Sequence, residues 1–359
     1  MIVRRTTHRS VASIIIAVAL VGTACQSPDR QPEGPGVVTI TLLTHDSFDV
    51  SESVLHAFER DSGIRVRLLP AGDAGQLVNR AILSAGNPEG DVLFGIDNNL
   101  LATALERDIF LPYASPRLVA VDDAFELDPQ HRVTPIDHGE VCLNFERAYF
   151  AWPRTSRPPE TLEELTDPAF RDLLVVQNPA TSTPGLAFLL ATIAAYGDPG
   201  WENFWRRLRA NGVLVVEGWE AAYFGEFSGS GGGQGTRPLV VSYATSPVAE
   251  VVLADEPPDT APTGVVEASC FRQIEFAGIL RGTEHEPEAR ALIDFLLSKA
   301  FQEDVPLRMF VYPVVDDATL PDVFAEHAVV SEAPLELPAD VIARGREGWV
   351  ERWTDLVLR

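Results

Sequence analysis

From Val38 onward, short apolar runs alternate with segments of helical periodicity, and that alternation constrains the fold more than any other feature of the chain. Val38 to Thr44 reads as a strand, Ser53 to Asp61 as a helix with Val54, Ala57 and Phe58 on one face and Gly63 as its stop, and Val66 to Leu69 as a strand again. Ala74 to Ala85 continues as a helix stopped at Gly86, Asp91 to Ile96 as a strand and Asn98 to Glu106 as a helix. This order predicts an α/β fold, a parallel sheet joined by crossover helices. Further strands are expected at Val141 to Phe145, Leu173 to Gln177, Val213 to Glu217, Pro238 to Tyr243 and Ser269 to Phe276, with late helices near Pro287 to Ser298 and Pro338 to Val357. No repeat of solenoid period interrupts the series. With 359 residues, 46% of them apolar, the chain has material for a large core and for two domains.

Charge narrows the partners. Asp and Glu total 52 against 28 Lys and Arg, a net charge of -24, which excludes a general nucleic-acid binder and a protein held on anionic lipid by basic charge. At the N-terminus Arg4, Arg5 and Arg9 precede twelve uncharged, largely apolar residues, Val11 to Gly22. That run is too short to span a bilayer and reads as a signal peptide over residues 1–24. Val21-Gly22-Thr23-Ala24-Cys25 resembles a bacterial lipobox, so Cys25 is the candidate lipidation site, with simple secretion as the alternative. The Pro-, Gly- and polar-rich stretch that follows makes residues 25–37 a flexible tether. In an exported chain the two remaining cysteines, Cys142 and Cys270, either pair or stay as buried free thiols.

Chemistry is suggested by a local pattern that occurs twice. Leu173 to Gln177 leads into Asn178-Pro-Ala-Thr-Ser-Thr-Pro-Gly185 and an almost wholly apolar helix; Leu239 to Tyr243 leads into Ala244-Thr-Ser-Pro247 and a second apolar run. In both a Ser or Thr directly precedes proline, which suits an N-cap followed by proline at the first helical position. Free N–H groups, the helix dipole and nearby hydroxyls there suit an anion, at the carboxyl edge where open α/β sheets bind ligands. Two well-capped structural helices are the alternative. Gly72-Asp73-Ala74-Gly75 opens a third helix in a similar way. Trp219, Tyr223 and Tyr243 lie near these edges and can stack on a flat ring or face a cation. The glycine-rich stretch Ser228 to Gly235 lacks the Lys and helix of a phosphate loop and reads as a surface loop. No HExxH, zinc-spaced cysteine pair, GxSxG elbow or Walker motif is present, so no catalytic or metal-ligating set is assigned.

Thr44-His-Asp-Ser-Phe48, Leu77-Val-Asn-Arg80, Asp91 to Leu101, Thr181-Ser-Thr-Pro-Gly185, Gly218-Trp219 with Tyr223, Ser242-Tyr-Ala-Thr-Ser-Pro247 and Met309 to Pro313 together resemble the thiamine-binding periplasmic proteins, the solute-binding components of bacterial ABC importers. The resemblance runs from about Val38 to the C-terminus. It implies a two-lobed type II periplasmic-binding-protein fold, each lobe a mostly parallel sheet with flanking helices and a ligand cleft between them. Lobe one is expected over 38–141 with a returning segment about 271–315, lobe two over 142–270, and a C-terminal segment over 316–359. A disulfide between Cys142 and Cys270 would then tie the strands crossing between lobes.

The implied ligand is thiamine, thiamine monophosphate or thiamine diphosphate, with no cofactor. Asp73, Ala74, Ser182, Thr183, Trp219, Tyr243, Ala244, Thr245 and Ser246 are the implied ligand-binding residues, and His45, Asp46 and Tyr223 further contacts. His45 stands where the family commonly has Tyr, and Ala249 where a second Tyr commonly follows the Ser-Pro, which thins the ring clamp. The implied partners are a membrane permease and its ATPase, the chain itself being a monomer anchored outside the membrane by lipid. The alternatives are a receptor for another small solute, a metal or a polyamine, and an exported enzyme acting on a phosphorylated small molecule.

Overall fold

The computed structural model describes residues 37–151, 157–231 and 235–359. The signal peptide, Cys25 with its lipid and nearly all of the tether lie outside the described residues, as do three residues of the glycine-rich loop.

Ten strands form one continuous sheet. They are β1 (Val38–Thr44), β2 (Ile64–Pro70), β3 (Val92–Asp97), β4 (Phe110–Leu111), β5 (Thr134–Glu146), β6 (Leu174–Gln177), β7 (Leu214–Val216), β8 (Leu239–Tyr243), β9 (Thr263–Leu280) and β10 (Tyr312–Pro313). The main path runs β2-β1-β3-β9-β5-β8-β6-β7, with β4 added to β9 and β10 to β5. Helices connect the parallel strands: Glu52–Ser62 joins β1 to β2, and Thr183–Tyr196 with Gly200–Ala210 joins β6 to β7. The parallel groups β2-β1-β3 and β8-β6-β7 are the two α/β units of the sheet.

Between them run β5 and β9, which are antiparallel to each other and to their other neighbours. They are 13 and 18 residues long, far longer than the apolar pieces Val141 to Phe145 and Ser269 to Phe276 that mark them in the sequence. Their outer halves carry Pro135, Asp137, Gly139, Glu140, Arg272 and Glu275, which break the apolar run, while the backbone pairing continues past a register shift between Pro135 and Asp137. Val141 pairs with Phe271 but Leu143 pairs with Val266, so residues 267–270 bulge out opposite Cys142. Leu143 N donates to Ser269 Oγ across the bulge (2.7 Å), and Cys142 and Cys270 are joined by a disulfide.

Apolar surface is packed on both faces of the sheet, as a parallel arrangement requires. The helix Thr183–Tyr196 is buried from Thr183 to Ile193, in keeping with its nearly unbroken apolar sequence. Gly185 lets its first turn sit against β6: a Cβ there would lie 2.6 Å from the Gln177 carbonyl oxygen. The last helix, Ala339–Val357, rests Trp353 edge-on against Trp205 and pairs Arg352 with Asp198, while Arg346 donates to Thr103 Oγ1 near β3 (3.0 Å). Among the described residues no helix is long and apolar enough to cross a membrane.

Candidate functional site

The carboxyl ends of the parallel strands from both groups face one cavity of about 540 Å³. His45 and Asp46 follow β1, Asp73 and Ala74 follow β2, Glu217 to Trp219 follow β7, and Tyr243, Thr245 and Ser246 end or follow β8. Strand ends at which helices depart leave backbone and side chains convergent and unfilled, which is why such crevices hold ligands. Thr183, Glu250, Gln273, Glu275, Arg308 and Phe310 line it as well.

One wall is aromatic. Trp219 stacks on Tyr223 (centroids 5.1 Å apart, planes 17° apart) and meets Phe224 and Tyr243 edge-on at 5.4 and 6.3 Å. Its indole N–H donates to Ser242 Oγ (2.8 Å), and Ser242 Oγ is hydrogen-bonded to Ser246 Oγ (2.8 Å), so the ring is held from the rear by the second hydroxyl loop. Tyr223 lies beneath Trp219 and spends its hydroxyl on Glu250 (2.8 Å), whose other oxygen accepts from Gly231 N (2.7 Å). It lines the cavity as support for Trp219 more than as a free face.

The opposite side and floor are acidic. Burial works to lower the pKa of His45, but the charge of Glu275, 3.6 Å from its Nε2, together with Asp73 and Asp46, holds it above its ordinary value. Gly95, at φ 101°, leaves space for that imidazole: a Cβ there would lie 2.2 Å from His45 Cδ2. Burial pushes the Asp73 carboxyl up, opposed by the nearby Ser182 hydroxyl and Thr183 amide and by the hydrogen bond it accepts from Ala74 N (2.7 Å). Asp97 is raised to about 7, first by burial and then by Glu275, and Asp137 well above the carboxylate range for the same two reasons. Burial, then the charges of Glu275 and Asp73, push the Tyr243 hydroxyl up. Registers explain the grouping: Asp97 of β3 and Asp137 of β5 both lie directly opposite Glu275 of β9, a row of three carboxyls across three adjacent strands.

Of the residues named from the sequence, Asp73, Ala74, Thr183, Trp219, Tyr243, Thr245 and Ser246 line this cavity, with His45, Asp46 and Tyr223. Two do not. Ser182 is 2% exposed and turns into a separate recess of about 30 Å³ with Pro179, Leu186 and Arg346; Ala244 is buried, its amide donating to the Glu140 carbonyl. The helix caps also stand one residue earlier than expected. Ser182 and Thr245 are the N-caps and proline is the second helical residue, because Thr183 and Ser246 already have helical backbone. Neither cap side chain bonds its own helix. Thr245 Oγ1 instead donates to the Phe310 carbonyl, and Ser246 Oγ accepts from Tyr243 N (3.2 Å).

Glu217, Glu250, Gln273, Asp137 and Glu275 are additions that no motif marks. The available signal for the last three was a polar residue at alternate positions of an otherwise apolar strand, as in Gln273-Ile274-Glu275. Among the described residues, the one group of His, Cys, Asp and Glu whose ligand atoms lie close enough to share a metal ion is Glu140, Cys142 and Cys270, two of which are spent in the disulfide.

Residues 87–330 match the family model for bacterial extracellular solute-binding protein. Over 325 residues the chain is 30% identical to the thiamine-binding periplasmic protein of Salmonella typhimurium, covering 89% of this chain and 94% of that one. Its match to the thiamine-binding periplasmic protein of Escherichia coli has the same identity and the same coverage. A solved structure of a periplasmic thiamin binding protein superposes with a TM-score of 0.76 at 27% identity, covering 89% of this chain and 96% of that chain. The resemblance and the type II periplasmic-binding-protein fold expected from the sequence are borne out. The chain belongs to the bacterial extracellular solute-binding protein family.

Proposed function

We propose that the protein is the extracytoplasmic receptor of an ABC importer and that its cavity takes up thiamine, which closure of the two lobes holds until a membrane permease and its ATPase receive it. The observation that carries this reading is a cavity of suitable size with a stacked aromatic wall facing a concentration of carboxyl groups: seven acids line it, Asp46, Asp73, Asp137, Glu217, Glu220, Glu250 and Glu275, against Arg308 and His45. Thiamine is two flat rings bearing one fixed positive charge, and an aromatic face together with buried carboxylates is what such a cation requires. The names of the similar proteins from Salmonella and Escherichia agree with it.

Thiamine phosphates belong to this reading in a narrower way. Thr183 lines the cavity beside Asp73, so a phosphate at that helix start meets a carboxyl of the chain itself. Ser182 lies off the cavity, so no direct contact with the ligand is assigned to it. The lipid on Cys25 and the monomeric state complete the proposal. A polyamine is the second reading, favoured by the same excess of carboxyls.

Calorimetric titration of the purified protein with thiamine, its mono- and diphosphate and spermidine tests all of these together. One-to-one binding of thiamine is expected, and the loss of one stacked ring in Trp219→Ala should weaken it by about 1–3 kcal/mol. Unchanged affinity in that variant removes the aromatic wall from the account, and tighter binding of spermidine than of thiamine removes the vitamin.

A further inference from the structure

The row Asp97, Glu275, Asp137 needs a physical reason, because like charges directly opposite on neighbouring strands are destabilising. Asp97 is accounted for by the turn after β3: it accepts from Asn99 Nδ2 (2.7 Å) and from the Asn99 and Leu100 amides (both 3.1 Å). Asp137 is not. It is 0% exposed and lies against the cavity, no N–H or hydroxyl of the described residues is hydrogen-bonded to either of its oxygens, and its side-chain neighbour is Glu275, itself a carboxyl. Gln273 Oε1 and His45 Nε2, both buried and both at the same floor, also lack one. Leaving such groups unpaired is costly unless something outside the chain completes them.

Glu275 stands between these groups and the open space. Its side chain keeps 12% of its surface exposed, and it is approached by Gln273 Nε2 (3.4 Å) and His45 Nε2 (3.6 Å). Both contacts are long, so its oxygens retain capacity for a stronger donor. An anion is excluded by the carboxyl row, and these side chains do not converge as a metal's ligands do.

We infer that Glu275, positioned by Asp137 behind it and His45 beside it, is the acceptor for the amino group of the ligand's pyrimidine ring, so that thiamine enters with that ring on the floor and its cationic ring toward Trp219. This orientation rests on the thiamine reading above and deepens it. The carboxyl row is then a feature that opposes folding of the empty protein and is relieved when the ligand arrives.

The test compares thiamine with oxythiamine, in which a carbonyl replaces that amino group, against wild type, Glu275→Gln and Asp137→Asn by calorimetry, with thermal unfolding of each ligand-free protein. Wild type is expected to prefer thiamine by about 10- to 150-fold, the range for a hydrogen bond to a charged group. Glu275→Gln should cut that ratio several-fold without lowering the ligand-free Tm, since the contacts it gives up to Gln273 and His45 are long ones. Asp137→Asn should cut it less. A wild type that binds both compounds equally, or a Glu275→Gln protein that keeps the full ratio, overturns the orientation and leaves the thiamine reading standing. A Glu275→Gln protein with lowered Tm and parallel loss of both compounds makes Glu275 structural and overturns it too. Binding of neither compound by wild type overturns the thiamine reading and this inference with it.

Discussion

Protonation of three buried groups at and behind the cavity floor ties the stability of the empty protein to pH. Asp97 has a pKa of about 7 when folded against 3.8 as an ordinary Asp, so between those values the folded chain holds a proton that the unfolded chain has released. Raising pH through that window therefore removes stability, and Asp137, raised by burial and by Glu275, acts with the same sign. His45, held above 6.5, contributes stability that is present below 6.5 and lost as pH rises through its folded value. The ligand-free Tm is thus expected to be higher at pH 5 than at pH 8, and Asp97→Asn should flatten the slope; a Tm that climbs from pH 5 to 8 contradicts the assignment. Paired carboxylates such as Glu164, lowered to about 2 by Arg157, lose their contribution only below this range. At this scale Trp219, Tyr243 and Asp73 were legible because each follows a strand end or opens a helix. Glu275 and Asp137 were not, since their significance comes from pairing across strands far apart in sequence, which no local pattern encodes.

Elements were legible where one period dominated. The helix Thr183–Tyr196 announced itself by a hydroxyl cap, a proline and an apolar run ended by Gly197, and the structure seats it within the protein nearly all round. Leu189, 0% exposed at its centre, should cost about 2–5 kcal/mol when replaced by Ala, read from urea denaturation, whereas Leu83→Ala on the exposed end of the helix Ala74–Leu83 should change stability by less than about 0.5 kcal/mol. Equal effects at the two positions would mean that the first helix is not core. The one-residue displacement of both caps shows where local reading stops: Thr-Pro and Ser-Pro mark the beginning of a helix, but the residue before each has the side chain at the cap. The helix Lys299–Arg308 passed unread because Pro306 sits inside its last turns. The crossing strands were read as fragments because charged and proline residues interrupt them.

For the whole molecule the disulfide is the link whose removal should be felt farthest. It joins residues 128 apart in sequence, at the bulge where β5 and β9 pass from one parallel group to the other. Cys142→Ala with Cys270→Ala should lower unfolding free energy by about 2–4 kcal/mol, with a reduced denaturant midpoint, while leaving thiamine affinity nearly unchanged because neither sulfur borders the cavity. A large loss of affinity at intact stability would place the bridge in ligand capture instead. The terminal helix is seated on the helix Gly200–Ala210 by Trp353 and Arg352 and touches Thr103 of the other group through Arg346. One rod therefore touches helices of both parallel groups. If the two groups move relative to each other when a guest is taken up, as proposed, that nineteen-residue rod has to tilt or give up the Arg346 contact, so truncating it should alter the movement without touching the walls that meet the guest.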